Sequence, residues 1–348
     1  RQILGTEDLN LIIIFFEWLG VSLIPKFTSE FLSYQDMNLY LNSSYKDSDN
    51  VQTSDGEMQW SRVRYAVSSV KVESIENIDK ILKFAQTDDI IALFILNEKL
   101  RNSISVKHER VASSQIQFKM SYQKAYRTIG NLSMRSYIQF LLASKKWILC
   151  EDGNKHLASY CCFENNNLEP LIHIPFIDYK ALKDRYGITK KDVDAFLVKI
   201  GVAEIFTELP QRVIYDVLLH LPEIDQELRK GRPLYSKMKD NIGSDDIDIS
   251  EENYNKFLSQ GKVIAKINGV KSYTPVREVF YSDNKSFSEE ILRNFNMFYF
   301  EYRAGVKKVS KLFGVKPLVA VDVKLSNEPE LSFLNNEFNQ EYLEYCAY

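Results

Sequence analysis

The sequence predicts an α+β fold, a helix-rich multi-module chain with short β-hairpins and small antiparallel sheets. Helical stripes with capping residues recur along the chain, as between Thr189 and Gly201. The run VIAKINGVKSYTPV predicts two strands joined at Asn268-Gly269, because both residues accept the positive φ of a type I′ turn. A length of 348 residues exceeds one ordinary core and favours two or three domains.

Shifts in composition divide the chain into three predicted modules. Residues 1–130 form a mixed α and β module, in which residues 28–57 are rich in Ser, Asn, Asp and Tyr and are expected to be a long polar insertion. Residues 131–240 form a hairpin plus a helical module. Residues 241–348 form a module of acidic connector, β-hairpin and helices, because the segment 240–255 holds six acidic residues and neither Lys nor Arg.

Periodicity assigns the elements in chain order. A helix is expected from Thr6 to Gly20, and Asp152-Gly153 is expected at the turn of a hairpin over 147–160. The remaining predictions are strands at 64–74, 103–109, 114–122 and 318–324, and helices at 74–84, 87–100, 133–146 and 335–345.

Three helices are predicted to end in the same way. Gly20, Gly201 and Gly314 each follow a large apolar residue and precede a valine. Glycine adopts the left-handed conformation that closes a helix, and the valine can pack back on the last turn. We therefore interpret the three glycines as structural helix terminators.

Composition and charge restrict the classes of function. Hydrophobic residues make up 45% of the chain and charged residues 26%, which is typical of a globular protein. A net charge of −3 provides no overall attraction to nucleic acid or to an anionic membrane. With four cysteines and no apolar run of the roughly 20 residues that cross a bilayer, we expect a cytoplasmic protein without a membrane partner.

The sequence contains none of the common catalytic motifs. There is no G-x-S-x-G, no Walker-type loop and no G-x-G-x-x-G after a strand, so no catalytic or cofactor-binding residue is predicted and activity in this segment is left open. The best zinc set is Cys150, His156, Cys161 and Cys162, but its spacing matches no standard site, and no metal site is predicted. A self-contained hydrolase would require His156 or His173 beside a Ser or Cys.

A basic stretch offers the best nucleic-acid contact. It runs from Lys107 to Arg135 with interleaved tyrosines, and its candidate contacts are Lys119, Lys124 and Arg127. Cations of this kind neutralise phosphates, and aromatic faces stack on bases.

A metal-dependent nuclease is the enzymatic form of this hypothesis. Asp322 and Lys324 have the D-x-K form found at the end of a nuclease strand, where a carboxylate binds Mg²⁺. Asp283 is available as the second metal-binding carboxylate. An ordinary strand with alternating polar residues has the same letters.

Two segments carry a family resemblance. FLLASKKWILCEDGNKHLASY at 140–160 resembles a recurring sacsin-type phrase of helix, apolar strand, D-G turn and second strand. The run from Gly261 to Leu318 is similar to regions of large bacterial proteins with a sacsin-like amino-terminal ATP-binding domain, and the run from Gly187 to Leu221 fits the same context.

The resemblance implies a non-catalytic scaffold or protein-interaction segment of a larger sacsin-like ATP-dependent protein, chaperone-like or acting in antiviral defence. Its partners would be its own or an associated GHKL-type ATPase domain, which would hold ATP and Mg²⁺ outside this segment, and protein clients. Glu73 to Asn77 has the E-x-x-x-N form of the ATPase metal-binding helix, but no D-x-G-x-G follows, and DNIGS at 240–244 lacks the required glycines. No catalytic residue is therefore carried over.

Overall fold

The chain divides into two compact units. The computed structural model describes residues 25–53, 56–67, 70–104, 116–122, 125–132, 135–165, 168, 171–281, 298–300 and 306–317. Unit 1 comprises Arg1–Asn165 with Ile172–Phe206, and unit 2 comprises Asn166–Leu171 with Thr207–Tyr348. Both contain helices and strands, so the predicted α+β class is confirmed.

Unit 1 alternates short helices with antiparallel strand pairs. The pairs are β1 with β4, β2 with β3, β5 with β6 and β7 with β8. Its elements are β1 Phe27–Phe31, α1 Tyr34–Asn42, β2 Asn50–Thr53, β3 Gly56–Gln59, α2 Trp60–Ala66, β4 Lys71–Ile75, α3 Ile78–Phe84, α4 Thr87–Leu96, α5 Glu98–Ser103, β5 Ile116–Tyr122, β6 Ala125–Leu132, α6 Tyr137–Ser144, β7 Ile148–Leu149, β8 Lys155–His156, α7 Tyr179–Tyr186 and α8 Lys190–Lys199.

Unit 2 contains one five-stranded sheet and four helices among its described residues. The strand order is β10-β9-β12-β11-β13, and β11 is parallel to both β12 and β13, so this sheet is mixed. Its elements are α9 Gln211–Ile224, α10 Gly231–Asn241, α11 Glu252–Gln260, β9 Lys262–Ile267, β10 Val270–Pro275, β11 Val279–Tyr281, β12 Phe298–Tyr299, α12 Val306–Phe313 and β13 Lys316–Pro317.

The hairpin of β9 and β10 forms as predicted. Asn268 and Gly269 lie between the two strands with φ of 47° and 88°. Positive φ at both central residues is the requirement of a type I′ turn, whose twist matches that of the flanking strands.

The segment 28–57, which is expected to be a long polar insertion, contains regular secondary structure in its described residues. It contains α1, β2 and most of β1, and Ser33 caps α1 by accepting a hydrogen bond from the backbone N–H of Asp36. Tyr40 and Leu41 of α1 are completely buried. A few apolar side chains at the right positions are enough to dock a short helix, although the surrounding composition is polar.

The acidic segment 240–255 also differs from the expected connector. It holds a 3₁₀ turn and the start of α11, and Ile247, Tyr254 and the nearby Phe257 are buried. Its carboxylates cap local N–H groups, as Glu251 does for Tyr254, while the apolar side chains enter the unit 2 core. The predicted module boundaries at 130 and 240 also differ from the boundary between the two compact units, which lies near Phe206.

The described helices are all too short or too polar to cross a membrane.

Candidate functional site

A short hairpin carries the first two side chains of the candidate site. β7 and β8 pair over two residues each, and Gly153 takes a φ of +78° in the turn between them. Glycine tolerates this φ, so the Asp-Gly sequence suits the reversal. The predicted hairpin is present but shorter than expected, because a 3₁₀ helix follows at Ala158–Tyr160.

Buried contacts anchor this hairpin on the core of unit 1. Trp147 is completely buried, and its indole N–H donates to the carbonyl of Leu142 at 2.7 Å. The hydroxyl of Thr87, at the start of α4, donates to the carbonyl of Trp147 at 2.8 Å and accepts from the N–H of Leu149 at 2.9 Å. The strand that leads into the turn is therefore held in one position.

The segment around His173 lies beside the hairpin. The N–H of Cys162 donates to the carbonyl of His173 at 3.0 Å, and the N–H of Glu151 donates to the carbonyl of Ile174 at 2.9 Å. These two backbone bonds hold the segment from both sides. They place a side chain that is distant in sequence next to the turn.

Asp152, His156 and His173 form a compact cluster. Oδ2 of Asp152 lies 2.7 Å from Nε2 of His156 and 3.8 Å from Nδ1 of His173. The two imidazole rings stack with centroids 3.5 Å apart and planes 15° apart. Between about a fifth and a third of each side chain is exposed, at 19% for His156, 28% for His173 and 35% for Asp152. The cluster is thus reachable from solvent.

Hydrogen bonds stabilise the charged form of Asp152. Partial burial opposes its ionisation, but the backbone N–H of Asn154 and the ring of His156 donate to the carboxylate and outweigh that effect. The pKa of Asp152 is lowered to about 2. The cluster therefore offers one carboxylate and two imidazole rings, a donor set suited to a divalent cation.

The four residues of the candidate zinc set, Cys150, His156, Cys161 and Cys162, do not form one ligand cluster. Cys150, Cys161 and Cys162 are buried and form no disulfide, and Sγ of Cys150 lies 3.5 Å from Sγ of Cys161. The contact with Cys150, followed by burial, raises the pKa of Cys161 far above its ordinary value. Of the four residues, His156 alone belongs to the cluster with Asp152 and His173.

Sequence spacing could not have identified this cluster. Asp152 and His156 are four residues apart on a hairpin, and His173 follows after a further stretch without any recognisable ligand pattern. The only local signal was the Asp-Gly turn, which predicts geometry and not ligands. The hydrolase hypothesis, which requires His156 or His173 beside a Ser or Cys, stays a prediction.

A second feature of unit 1 is a surface groove with a volume of about 840 Å³. Leu39 and Phe140 form part of its apolar floor, and Leu39 is 58% exposed. Four carboxylates and two ammonium groups surround it, which leaves the rim acidic. These rim residues are Glu30, Asp36, Glu76, Asp79, Lys80 and Lys145.

Burial and neighbouring carboxylates both oppose the ionisation of Tyr137, which lines this groove. The pKa of Tyr137 is raised to about 12, first by burial and then by the neighbouring carboxylates, of which Asp36 and Glu30 contribute most. Lys145 forms an ion pair of 3.1 Å with Asp79, which leaves three other carboxylates and one other ammonium group around the groove. A cationic side chain entering the groove would meet favourable electrostatics.

Two of the three glycines interpreted as helix terminators lie in the described residues. Gly201 has a φ of +106°, its N–H donates to the carbonyl of Val198, and the N–H of Val202 donates to the carbonyl of Leu197. This is the bond pattern of a Schellman motif. Gly314, with a φ of +65°, follows α12. Gly20 lies outside the described residues.

The nucleic-acid and nuclease candidates are only partly covered by the structure. Lys119 lies in β5 paired with Thr128, and Arg127 lies in β6 paired with Met120. A strand pair is therefore present in the basic stretch, and nucleic-acid contact stays a prediction. The other candidates, Lys124, Asp283, Asp322 and Lys324, lie outside the described residues.

The E-x-x-x-N pattern at 73–77 does not lie on one helix. Glu73 is in β4, paired with Ser29, and Asn77 has a φ of 57° at the residue preceding α3. An ATPase metal helix would place both residues on consecutive turns. Residues 73–77 therefore lack the continuous helix of that ATPase pattern.

Comparison with protein families, curated proteins and solved structures finds no match.

Proposed function

We propose that this chain is a non-catalytic protein-interaction segment of a larger sacsin-like ATP-dependent protein. Its partners would be the GHKL-type ATPase domain of that protein and protein clients, and ATP and Mg²⁺ would bind to the ATPase domain. The observation that supports an interaction role is the groove of unit 1, which combines an apolar floor with an acidic rim. The sacsin resemblance of residues 140–160 supports the family context.

The groove fits an apolar peptide that carries positive charge. Exposed Leu39 and half-buried Phe140 would contact apolar side chains, and the rim carboxylates would pair with lysine or arginine. Burying apolar surface supplies affinity, and complementary charge supplies specificity and the rate of association. Such a segment is common to unfolded clients and to linkers between domains.

Fluorescence anisotropy with two labelled peptides tests this proposal. We expect a short peptide of alternating lysine and leucine to bind the chain, and a matched peptide of alternating glutamate and leucine to bind much more weakly. Because exposed charges are screened within about 10 Å at 0.1 M salt, added salt should weaken the binding. Leu39→Asp should weaken it about tenfold or more, since burial of one leucine is worth about 1.5–3 kcal/mol.

The matched control is Ile249→Asp in unit 2. Ile249 is 67% exposed, so the change in charge and apolarity is the same but lies outside the groove. Equal affinity for the two peptides, or equal loss from Leu39→Asp and Ile249→Asp, would contradict the proposal. Binding of ATP by this chain alone would contradict its non-catalytic role.

A further inference from the structure

We propose that Asp152, His156 and His173 bind one Zn²⁺ ion. The three ligand atoms already lie within 4.8 Å of one another. The side chains come from two segments that are held by separate backbone hydrogen bonds, so the cluster is a product of the fold. This inference is independent of the proposed interaction role, since the groove and the cluster share no residue.

The donor set matches the coordination chemistry of zinc. Zinc accepts imidazole nitrogen and carboxylate oxygen at about 2.0–2.2 Å, and three protein ligands with one open position form a recurrent arrangement. Oδ1 of Asp152 accepts from the backbone N–H of Asn154 at 3.0 Å, whereas Oδ2 lies 2.7 Å from Nε2 of His156 and also accepts from the side-chain amide of Asn154 at 3.4 Å. Partial exposure of all three side chains leaves space for a water molecule as fourth ligand.

Zinc binding would change the relative orientation of the rings. The lone pair of an imidazole nitrogen lies in the ring plane, and the planes of His156 and His173 are nearly parallel at present. Coordination of one ion by both rings therefore requires them to tilt away from stacking. Their partial exposure permits this rotation without movement of the anchored backbone.

The chain provides a matched comparison for the cluster. His220 and Asp216 on α9 are also four residues apart, and Nδ1 of His220 lies 3.9 Å from Oδ1 of Asp216. Among the described residues no second imidazole joins that pair in a ligand cluster, and the pair is more exposed. It controls for weak zinc binding by an ordinary surface histidine.

Calorimetric titration of the chelator-dialysed chain with zinc chloride tests the site. We expect one ion per chain, and we expect Asp152→Asn, His156→Asn and His173→Asn each to weaken binding by more than about 100-fold. Residues that merely orient a ligand already contribute 10- to 100-fold, so removal of a ligand should exceed that range. His220→Asn should leave binding unchanged.

A second measurement on the unaltered chain covers the case in which a variant fails to fold. Histidine modification by diethyl pyrocarbonate, mapped by mass spectrometry, should show that zinc protects His156 and His173 and leaves His220 reactive. The proposal is overturned if the wild-type chain binds no zinc, if His173→Asn binds as tightly as wild type, or if zinc protects neither ring. Loss of binding in Cys161→Ser but not in His173→Asn would assign the ion to the thiols and also overturn it.

Discussion

The hydroxyl of Tyr273 donates a 2.7 Å hydrogen bond to Oδ2 of Asp225, which also accepts from the N–H of Gly231 at 2.8 Å. The other carboxylate oxygen accepts from the N–H groups of Arg229 and Lys230 at 2.8 and 2.9 Å. Asp225 is buried, with 2% of its surface exposed. One carboxylate thus joins the end of α9, the start of α10 and strand β10.

Replacing this carboxylate should destabilise unit 2. An amide has only one acceptor oxygen, so Asp225→Asn leaves about half of the four donors without a partner. Because bonds to charged groups contribute about 1.5–3 kcal/mol each, we expect the free energy of unfolding to fall by about 2–4 kcal/mol in urea denaturation. Asp216→Asn, an exposed position on α9, is the control and should have little effect.

The same carboxylate should make stability depend on pH in the acid range. Burial opposes the ionisation of Asp225, but the hydrogen bonds from Lys230, Tyr273 and the other two donors outweigh it, and its pKa is lowered. Its contribution is therefore complete above the unfolded pKa of about 3.9 and is lost as pH falls through the lower folded value. The stability gap between wild type and Asp225→Asn should shrink below about pH 4 in urea titrations; a constant gap would refute this assignment.

The hydroxyl of Thr87 should stabilise the β7–β8 hairpin of unit 1. Thr87→Val keeps the side-chain shape but removes the acceptor for Leu149 and the donor to Trp147 in a buried environment. We expect a loss of about 1–3 kcal/mol in chemical denaturation monitored by tryptophan fluorescence. Thr28→Val on β1 is the matched isosteric control, and an equal loss there would show that the effect is not specific to this contact.

The two described terminator glycines should differ in their response to alanine. At Gly201 an added Cβ meets no atom within 4 Å, so Gly201→Ala should cost only the backbone strain of positive φ, about 1–2 kcal/mol. At Gly314, where φ is +65°, the strain of a positive φ adds to a clash with the Leu258 side chain and a 3.0 Å approach to Val276, so Gly314→Ala should cost more. Thermal unfolding of both variants measures the order, and an equal cost would mean that Leu258 moves away freely.

Local sequence signals predicted the elements that depend on neighbouring residues. The cap Thr189 and the buried stripe of α8 agree with the structure, because a capping hydroxyl and a helical spacing act within a few residues. The β9–β10 hairpin agrees for the same reason, since Asn268-Gly269 selects the turn. These features, together with the α+β class, follow from the sequence by itself.

Only the tertiary structure decided the features that depend on contacts between residues distant in sequence. Helix α1 is stabilised by the burial of Tyr40 and Leu41, which its polar surroundings in the sequence do not indicate. Strands of two residues, such as β12 and β13, are too short to show a periodicity from which a mixed sheet could be predicted. The meeting of His173 with Asp152 and His156 depends on backbone bonds between segments that are separate in sequence. Side-chain periodicity records which face of an element is buried, but it does not record which other segment covers that face.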